Sequence, residues 1–246
     1  MRSTRCADRT RQPPPSRAVA DVVARHAHFT RELFQFLAEL SFNNDRAWFA
    51  ANKERYEQHV RAPLLAFITD VQAPLARINR QLVADPRPVG GSMFRIHRDT
   101  RFSKDKAPYK THAAAQFRHR AGADVHAPGL YLHLEPGRCF AGGGIWHPDA
   151  DPLRAIRQYI HGHPRAWDRL LADSPPLEGD MLARVPAGYA KDHRHATDLR
   201  RKDFIVSVAV SDARVCAPGF MDEFLAACRT VNPLVRTLCT ALGVPR

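Results

Sequence analysis

The sequence predicts an α+β fold: a single domain in which a mainly antiparallel sheet is packed with N- and C-terminal helices. Three observations carry this expectation. Apolar residues recur at helical period near both ends, with Phe29, Leu33, Phe36, Leu37 and Leu40 in one stripe and Phe220, Phe224, Ala227, Cys228 and Val231 in the other. The middle of the chain alternates instead, Leu130, Leu132 and Leu134 facing one way and Tyr131, His133 and Glu135 the other. Strands and helices do not follow one another in strict turn, which argues against a doubly wound parallel sheet.

Each element has its own local reason. Residues 1–28, with "RTRQPPPSR", are rich in Pro and Arg, lack periodicity and are expected to form a disordered basic extension before the domain at 29–246. After the first helix, "SFNND" breaks the pattern, and Asn43 or Asn44 is expected to cap a second helix carrying Trp48, Phe49, Tyr56 and Val60. Pro63 suits the first turn of a third, whose period runs from Leu64 to Leu82, with Pro74 expected to kink or restart it. Residues 93–99 read as a short strand and 113–117 as a weaker one. "GLYLHLEPGRCFAGGG" reads as a hairpin turning at Pro136 and Gly137. Asp151 and Pro152 open a helix, Trp167, Leu170 and Leu171 mark a shorter one, and "DFIVSVAVSD" is a β-branched strand from Phe204. Asn232-Pro233 is expected to divide the last helical stretch in two.

Composition narrows the function. A domain of this size, within a chain of 246 residues, buries on the order of 70% of its unfolded surface, so it needs no disulfide or structural metal. The five cysteines are odd in number and form no C-x-x-C pair; Cys228 and Cys239 fit a core in a reducing compartment. No apolar run approaches the roughly 18 residues of a membrane span, and the basic N-terminus lacks the apolar stretch of a secretory signal. A cytoplasmic location with no membrane partner is expected. The net charge of +12 admits nucleic acid as a partner, yet six lysines leave 31 of the 37 basic residues as arginine, and +4 of the total lies in residues 1–28. That skew fits a compositional bias as well as it fits phosphate binding. No H-E-x-x-H, Cys/His set or G-x-S-x-G is present, and the pairs His26/His28, His161/His163 and His193/His195 lack a carboxylate at ligand spacing. The sequence therefore spells out no metal site, cofactor or nucleophile. "GGGIWHP" lacks the Lys-Ser/Thr of a P-loop; its glycines are expected to let the Trp146 ring pack close to the backbone.

One stretch stands out chemically. "RIHRDTRFSKDKAPYK", residues 95–110, holds six Arg and Lys side chains and two acids, Asp99 and Asp105. As a strand it puts Phe94, Ile96 and Arg98 on the inner face and Arg95, His97 and Asp99 outside. The pattern Arg95-x-x-Arg98-Asp99-x-Arg101-Phe102-x-x-x-Lys106-x-x-Tyr109 resembles the hallmark of an uncharacterised family, domain of unknown function 2461. "NNDRAWFAANKERYEQHV" and "YLHLEPGRCFAGGGIWHP" fit the same family, and the resemblance spans roughly 29–243. It implies no established activity or ligand. Read chemically, Arg95, Arg98, Arg101, Lys106, Tyr109 and Lys110 form a candidate site for a phosphorylated or other anionic small molecule, because Arg forks and Lys point charges suit such groups. Asp99 is the candidate acid/base or cation ligand, with His97 and His133 as partners if folding brings them near. Phe102 reads as a stacking surface or a buried loop anchor. Two alternatives remain open: a nucleic-acid interface using this loop and the basic extension, and a salt-bridge network in which Arg98 and Arg101 are tied to Asp99, Asp105 or Glu135.

Overall fold

The computed structural model describes residues 26–101, 103–122 and 127–246. The expected extension therefore lies outside the described residues apart from 26–28, where His28 packs on Phe67 and hydrogen-bonds Asp70 at 2.9 Å. The chain runs α1 (Arg31–Phe42), α2 (Arg46–Ala51), α3 (Lys53–Tyr56), a π-helical turn (Glu57–Arg61) and α4 (Ala62–Ile78), then three strands. These are β1 (Ala113–Arg118), β2 (Gly129–Leu134) and β3 (Cys139–Ile145). After them come α5 (Ala150–Gly162), α6 (Pro164–Asp173), α7 (Ala196–Leu199), β4 (Phe204–Val210), α8 (Asp212–Val215) and α9 (Phe220–Ala241). The fold is α+β, as the sequence predicts.

The sheet is a four-stranded antiparallel meander in the order β1-β2-β3-β4. Its register stacks Phe117, Leu130, Gly143 and Val206 in one row and Ala115, Leu132, Ala141 and Val208 in the next. These rows face the core. Helix α9 crosses them so closely that a Cβ on Gly143 would come within 2.8 Å of Val231 Cγ1. Phe224 on α9 meets both Phe67 of α4 and Phe117 of β1, and Phe29, Phe67 and Phe220 close the cluster. Each such fully buried side chain contributes roughly 1.5–3 kcal/mol.

Local expectations fail where tertiary contacts outbid them. The cap of α2 is Asp45, whose Oδ1 accepts the Trp48 N–H at 2.9 Å; Asn43 turns back to Glu39 O, and Asn44 is used elsewhere. The third helix ends at Ile78, so Leu82 lies beyond it, and Pro74 sits inside α4 without ending it. The helix opening near Asp151 is capped one turn-start earlier, at Asp149. Pro233 does not divide the C-terminal helix: α9 is continuous, because Val231, Leu234 and Val235 on its inner side are all buried, and burial outweighs one missing hydrogen bond. Asn232 is held there by Asn79, whose Nδ2 donates to its Oδ1 at 3.0 Å in a buried pair. Trp146 is 53% exposed rather than packed on the glycine run; the glycines serve the close approach of α9 and of β4, where a Cβ on Gly144, at φ +126°, would strike Phe204 O.

Candidate functional site

Residues 92–98 form an extended arm along the edge of the sheet. Phe94 N–H donates to Ala114 O at 2.9 Å and Gln116 N–H to Ser92 O at 2.8 Å, which adds the arm to β1. It then changes partner: Arg98 N–H donates to Pro108 O and Lys110 N–H to Ile96 O, pairing the arm with its own return. The switch leaves only isolated bridges, Met93 with Ala115 and His97 with Tyr109, where a regular strand over 93–99 is expected from sequence. The alternation holds only from Arg95 onward: Ile96 is buried and Arg98 half-buried, whereas Arg95, His97 and Asp99 are exposed. Phe94, expected on the inner face, turns to the outer one beside Tyr131 and Lys110, and Met93 packs on the core in its place.

Most of the charged motif is spent on the loop itself. Asp99 holds Arg101 through two parallel bonds, Nε to Oδ1 at 3.0 Å and Nη2 to Oδ2 at 2.6 Å. Those bonds, with the Arg101 backbone N–H, bring the Asp99 carboxyl down to about 2. The fold thus pairs Asp99 with Arg101. Arg98 Nη1 lies 2.5 Å from Asp105 Oδ2, and Asp105 Oδ1 accepts the Ala107 N–H. The backbone bond first, and Arg98 second, lower the Asp105 pKa. Lys106 Nζ donates to Thr100 O at 2.9 Å. Tyr109 is buried, stacked on Phe49 with centroids 4.1 Å apart. Glu135, weighed as a partner for these arginines, pairs instead with His133 and Arg138. Phe102 lies outside the described residues.

Arg95, Lys110 and the exposed Lys104 are left, and the fold brings the first two together. Lys110 Nζ lies 5.0 Å above the Phe94 ring. Burial, and then the charge of Arg95, lower its pKa. Among the described residues neither side chain has a carboxylate within ion-pair distance. Phe94 in turn meets the Tyr131 ring edge-on at 6.0 Å. From there the outer face of the sheet continues as a second polar group.

Tyr131, His133 and Glu135 alternate outward along β2, and the Ala113–Leu134 pairing puts His112 opposite Glu135, one step beyond the ladder. Tyr131 Oη lies 3.1 Å from His133 Nδ1, and His133 Nε2 is 3.0 Å from Glu135 Oε2. Phe140 stacks on one side of the His133 ring at 4.7 Å, and His112 approaches it at 4.4 Å. Burial is the first cause of every shift here. It brings His112 down to about 4, with the neighbouring His133 adding to the effect. It also lowers His133 against the pull of Glu135, and raises the Tyr131 phenol to about 12. Asp99 has neither expected histidine as a hydrogen-bond partner: His97 sits beside the Phe49 and Tyr109 rings, and His133 belongs to this cluster. The alternation of the sequence already puts Tyr131, His133 and Glu135 on one face. His112 could not be found that way, because its place depends on strand register.

Two other groups bring ligand-type atoms within 4.8 Å of one another, His26/His28/Asp70 and His147/Asp180/Asp203. In the latter, Asp203 is buried and its two oxygens already accept the His147 and Asp180 backbone N–H groups at 2.7 and 2.9 Å. The pairs at 161/163 and 193/195 meet in space through His161 and His193, 5.2 Å apart.

The opposite side of the molecule carries a feature the sequence reading missed altogether. Three adjoining depressions, of about 740, 340 and 380 Å³, run from the end of α4 along α9. Arg77, Arg80, Arg120, Arg229, Arg236 and Arg246 line them, and no acidic residue does among the described residues. These six arginines are scattered over 170 positions of sequence, so no local basic run announces them.

Fold and site define an α+β protein whose four-stranded antiparallel sheet carries Tyr131 and His133 on its outer face, beside Arg95 and Lys110 of the edge arm and its return. The chain belongs to the family described as conserved hypothetical protein DUF2461, whose family model matches residues 32–236. No curated protein matches it. No described helix is long and apolar enough to cross a membrane.

Proposed function

We propose that this protein binds a phosphorylated or otherwise anionic small ligand over the outer sheet face, held by Arg95 and Lys110. One observation carries the reading: two neighbouring cations, one of them half-buried, share no carboxylate, in a loop that neutralises its other arginines. Like charges held together repel unless an anion intervenes. Phe94 and Tyr131 offer an apolar floor beside them. The remaining motif residues, Arg98, Arg101, Lys106, Tyr109 and Asp99, support the site by fixing the loop, which merges the ligand reading with the salt-bridge one. Each charge-assisted hydrogen bond to the anion contributes about 1.5–3 kcal/mol, so three at the strong end of that range reach the roughly 8 kcal/mol of micromolar binding. A cytoplasmic location is part of the reading and rests on the free thiols of Cys139, Cys216, Cys228 and Cys239.

Calorimetry with phosphate, pyrophosphate, sugar phosphates and nucleotides tests it. Arg95→Ala and Lys110→Ala are each expected to weaken binding ten- to a hundredfold while leaving the fold intact. Heat from no anion, or binding indifferent to both substitutions, overturns it.

A second reading, nucleic-acid binding, draws on the arginine-lined groove. It predicts affinity for DNA or RNA that falls steeply with salt and is reduced by Arg77→Ala and Arg229→Ala. Absence of binding at low salt removes this reading. Deleting residues 1–25 separates the groove from the basic extension.

A further inference from the structure

We propose that His112, His133 and Glu135 form a binding site for a divalent first-row transition-metal ion, with Zn²⁺ the best match to the ligand set. The site is distinct from the anion cradle and does not depend on it. Two imidazoles and one carboxylate, with further positions left for solvent or substrate, make a donor set that suits Zn²⁺ and its neighbours.

Strand geometry builds the set. His133 lies on β2 and Glu135, two residues on, just past its end, so they share a face, and the antiparallel pairing of β1 with β2 brings His112, just before β1, across to meet them. Their ligand atoms lie within 4.8 Å of one another. The His133 Nε2 to Glu135 Oε2 separation is 3.0 Å, close to the roughly 3.3 Å edge spanned by two ligands ~2.0–2.1 Å from a tetrahedral ion. His133 is also oriented as a ligand needs. Tyr131 Oη engages Nδ1, leaving Nε2 toward the other donors, and Phe140 stacks on the ring. Metal-binding imidazoles are held in this way through their second nitrogen.

The neighbouring candidates lack these supports. Asp203 has both oxygens committed to backbone N–H groups, and in the His26/His28/Asp70 group His26 is exposed and Asp70 half-exposed. Two cations stand near the proposed ion. Arg138 lies 3.7 Å from Glu135, but its side chain is 76% exposed and can swing into solvent. Lys110 is the other, on the side of the anion cradle.

Co²⁺ reports the site directly through its visible absorption. Full-length protein, stripped with chelator and titrated with Co²⁺, is expected to bind one ion per chain at this site and to lose the band when Zn²⁺ is added. His112→Ala and Glu135→Gln should each weaken binding at least tenfold. Tyr131→Phe should cost a smaller factor, and His28→Ala and His147→Ala none. A wild-type chain that takes up no stoichiometric Co²⁺ or Zn²⁺ overturns the proposal, as does a band that survives both ligand substitutions. If a variant fails to fold, the wild type still decides. Zn²⁺ must shift the imidazole nitrogen resonances of His112 and His133, and shifts confined to other histidines sink it. Metal binding without phosphate binding leaves this inference standing and removes only the anion reading.

Discussion

Asn44 holds Tyr109 by both of its backbone groups: its Nδ2 donates to Tyr109 O and its Oδ1 accepts the Tyr109 N–H, each at 3.0 Å. One amide side chain thus imitates a strand and ties the end of the charged loop to the start of α2, where the Tyr109 ring lies on Phe49. Asn44→Ala strands a donor and an acceptor beside buried Tyr109. We expect a loss of about 1–3 kcal/mol in urea unfolding, with faster amide exchange at Tyr109 and weaker anion binding. Unchanged stability and exchange would show that Asn44 does not pin the loop.

The charged motif divides into two functional halves. Arg95→Ala and Lys110→Ala should abolish stabilisation by added phosphate with little change in the ligand-free melting temperature. Arg101→Ala, whose exposed side chain pairs with the less exposed Asp99 and only helps to fix the loop, should barely change the melting temperature and reduce the phosphate stabilisation by much less than the other two. A thermal-shift series compares them, and the opposite ranking refutes the division.

Acid should loosen the loop late. Asp99 titrates at about 2 in the folded chain, against roughly 3.9 for a free Asp side chain. A depressed carboxyl stabilises the fold above its unfolded pKa, and that contribution disappears as pH falls through the folded value. The Asp99–Arg101 pair is therefore expected intact at pH 5 and lost between about pH 4 and 2. Carboxyl ¹³C NMR should place the Asp99 midpoint near the lower limit; a midpoint at 3.9 means the pair does not form in solution.

Asp198 is a buried junction. Its Oδ2 accepts the Trp167 indole N–H at 2.9 Å and its Oδ1 the Arg201 Nε–H at 3.1 Å, joining α6 to α7 and the lead-in to β4. Asp198→Ala leaves the indole without its acceptor and the half-buried Arg201 guanidinium without its carboxylate, with Glu178 O at 3.4 Å as its remaining partner, and should cost about 3–5 kcal/mol. Denaturation followed by tryptophan fluorescence measures it, and a loss below 1 kcal/mol refutes the account.

Thiol chemistry should be slow throughout the fold. Burial raises Cys139 to about 12 and Cys239 to about 11, and raises Cys228 as well. Iodoacetamide at pH 8 is expected to label Cys216, which is only partly buried, before these three. Rapid labelling of Cys139 would contradict its buried place at the start of β3.

Features governed by neighbours in sequence were readable from sequence. The Phe29-to-Leu40 stripe, the outward series Tyr131, His133 and Glu135, and the turn at Gly137 depend on backbone period and on a positive φ that glycine adopts easily. Where two local options competed, as between Asn43 and Asn44 for one helix cap, neither serves: Asn44 is taken by Tyr109, 65 positions away, and Asp45 accepts the helix N–H. Pro233 misled for the same reason: its local cost is real but smaller than the burial on either side of it. Of the six residues proposed from sequence for anion binding, their clustering was visible but their partners were not.

By itself, the sequence determined the fold class, the outward series along β2 and the concentration of charge at 95–110, because hydrophobic period and charge count are properties of the chain. Only the tertiary structure decided which cations are neutralised, that His112 joins His133 and Glu135, and that six dispersed arginines line one groove. Coulombic attraction and ligand geometry act over a few ångströms of space, and strand register and helix packing, not spacing in sequence, determine which side chains come that close.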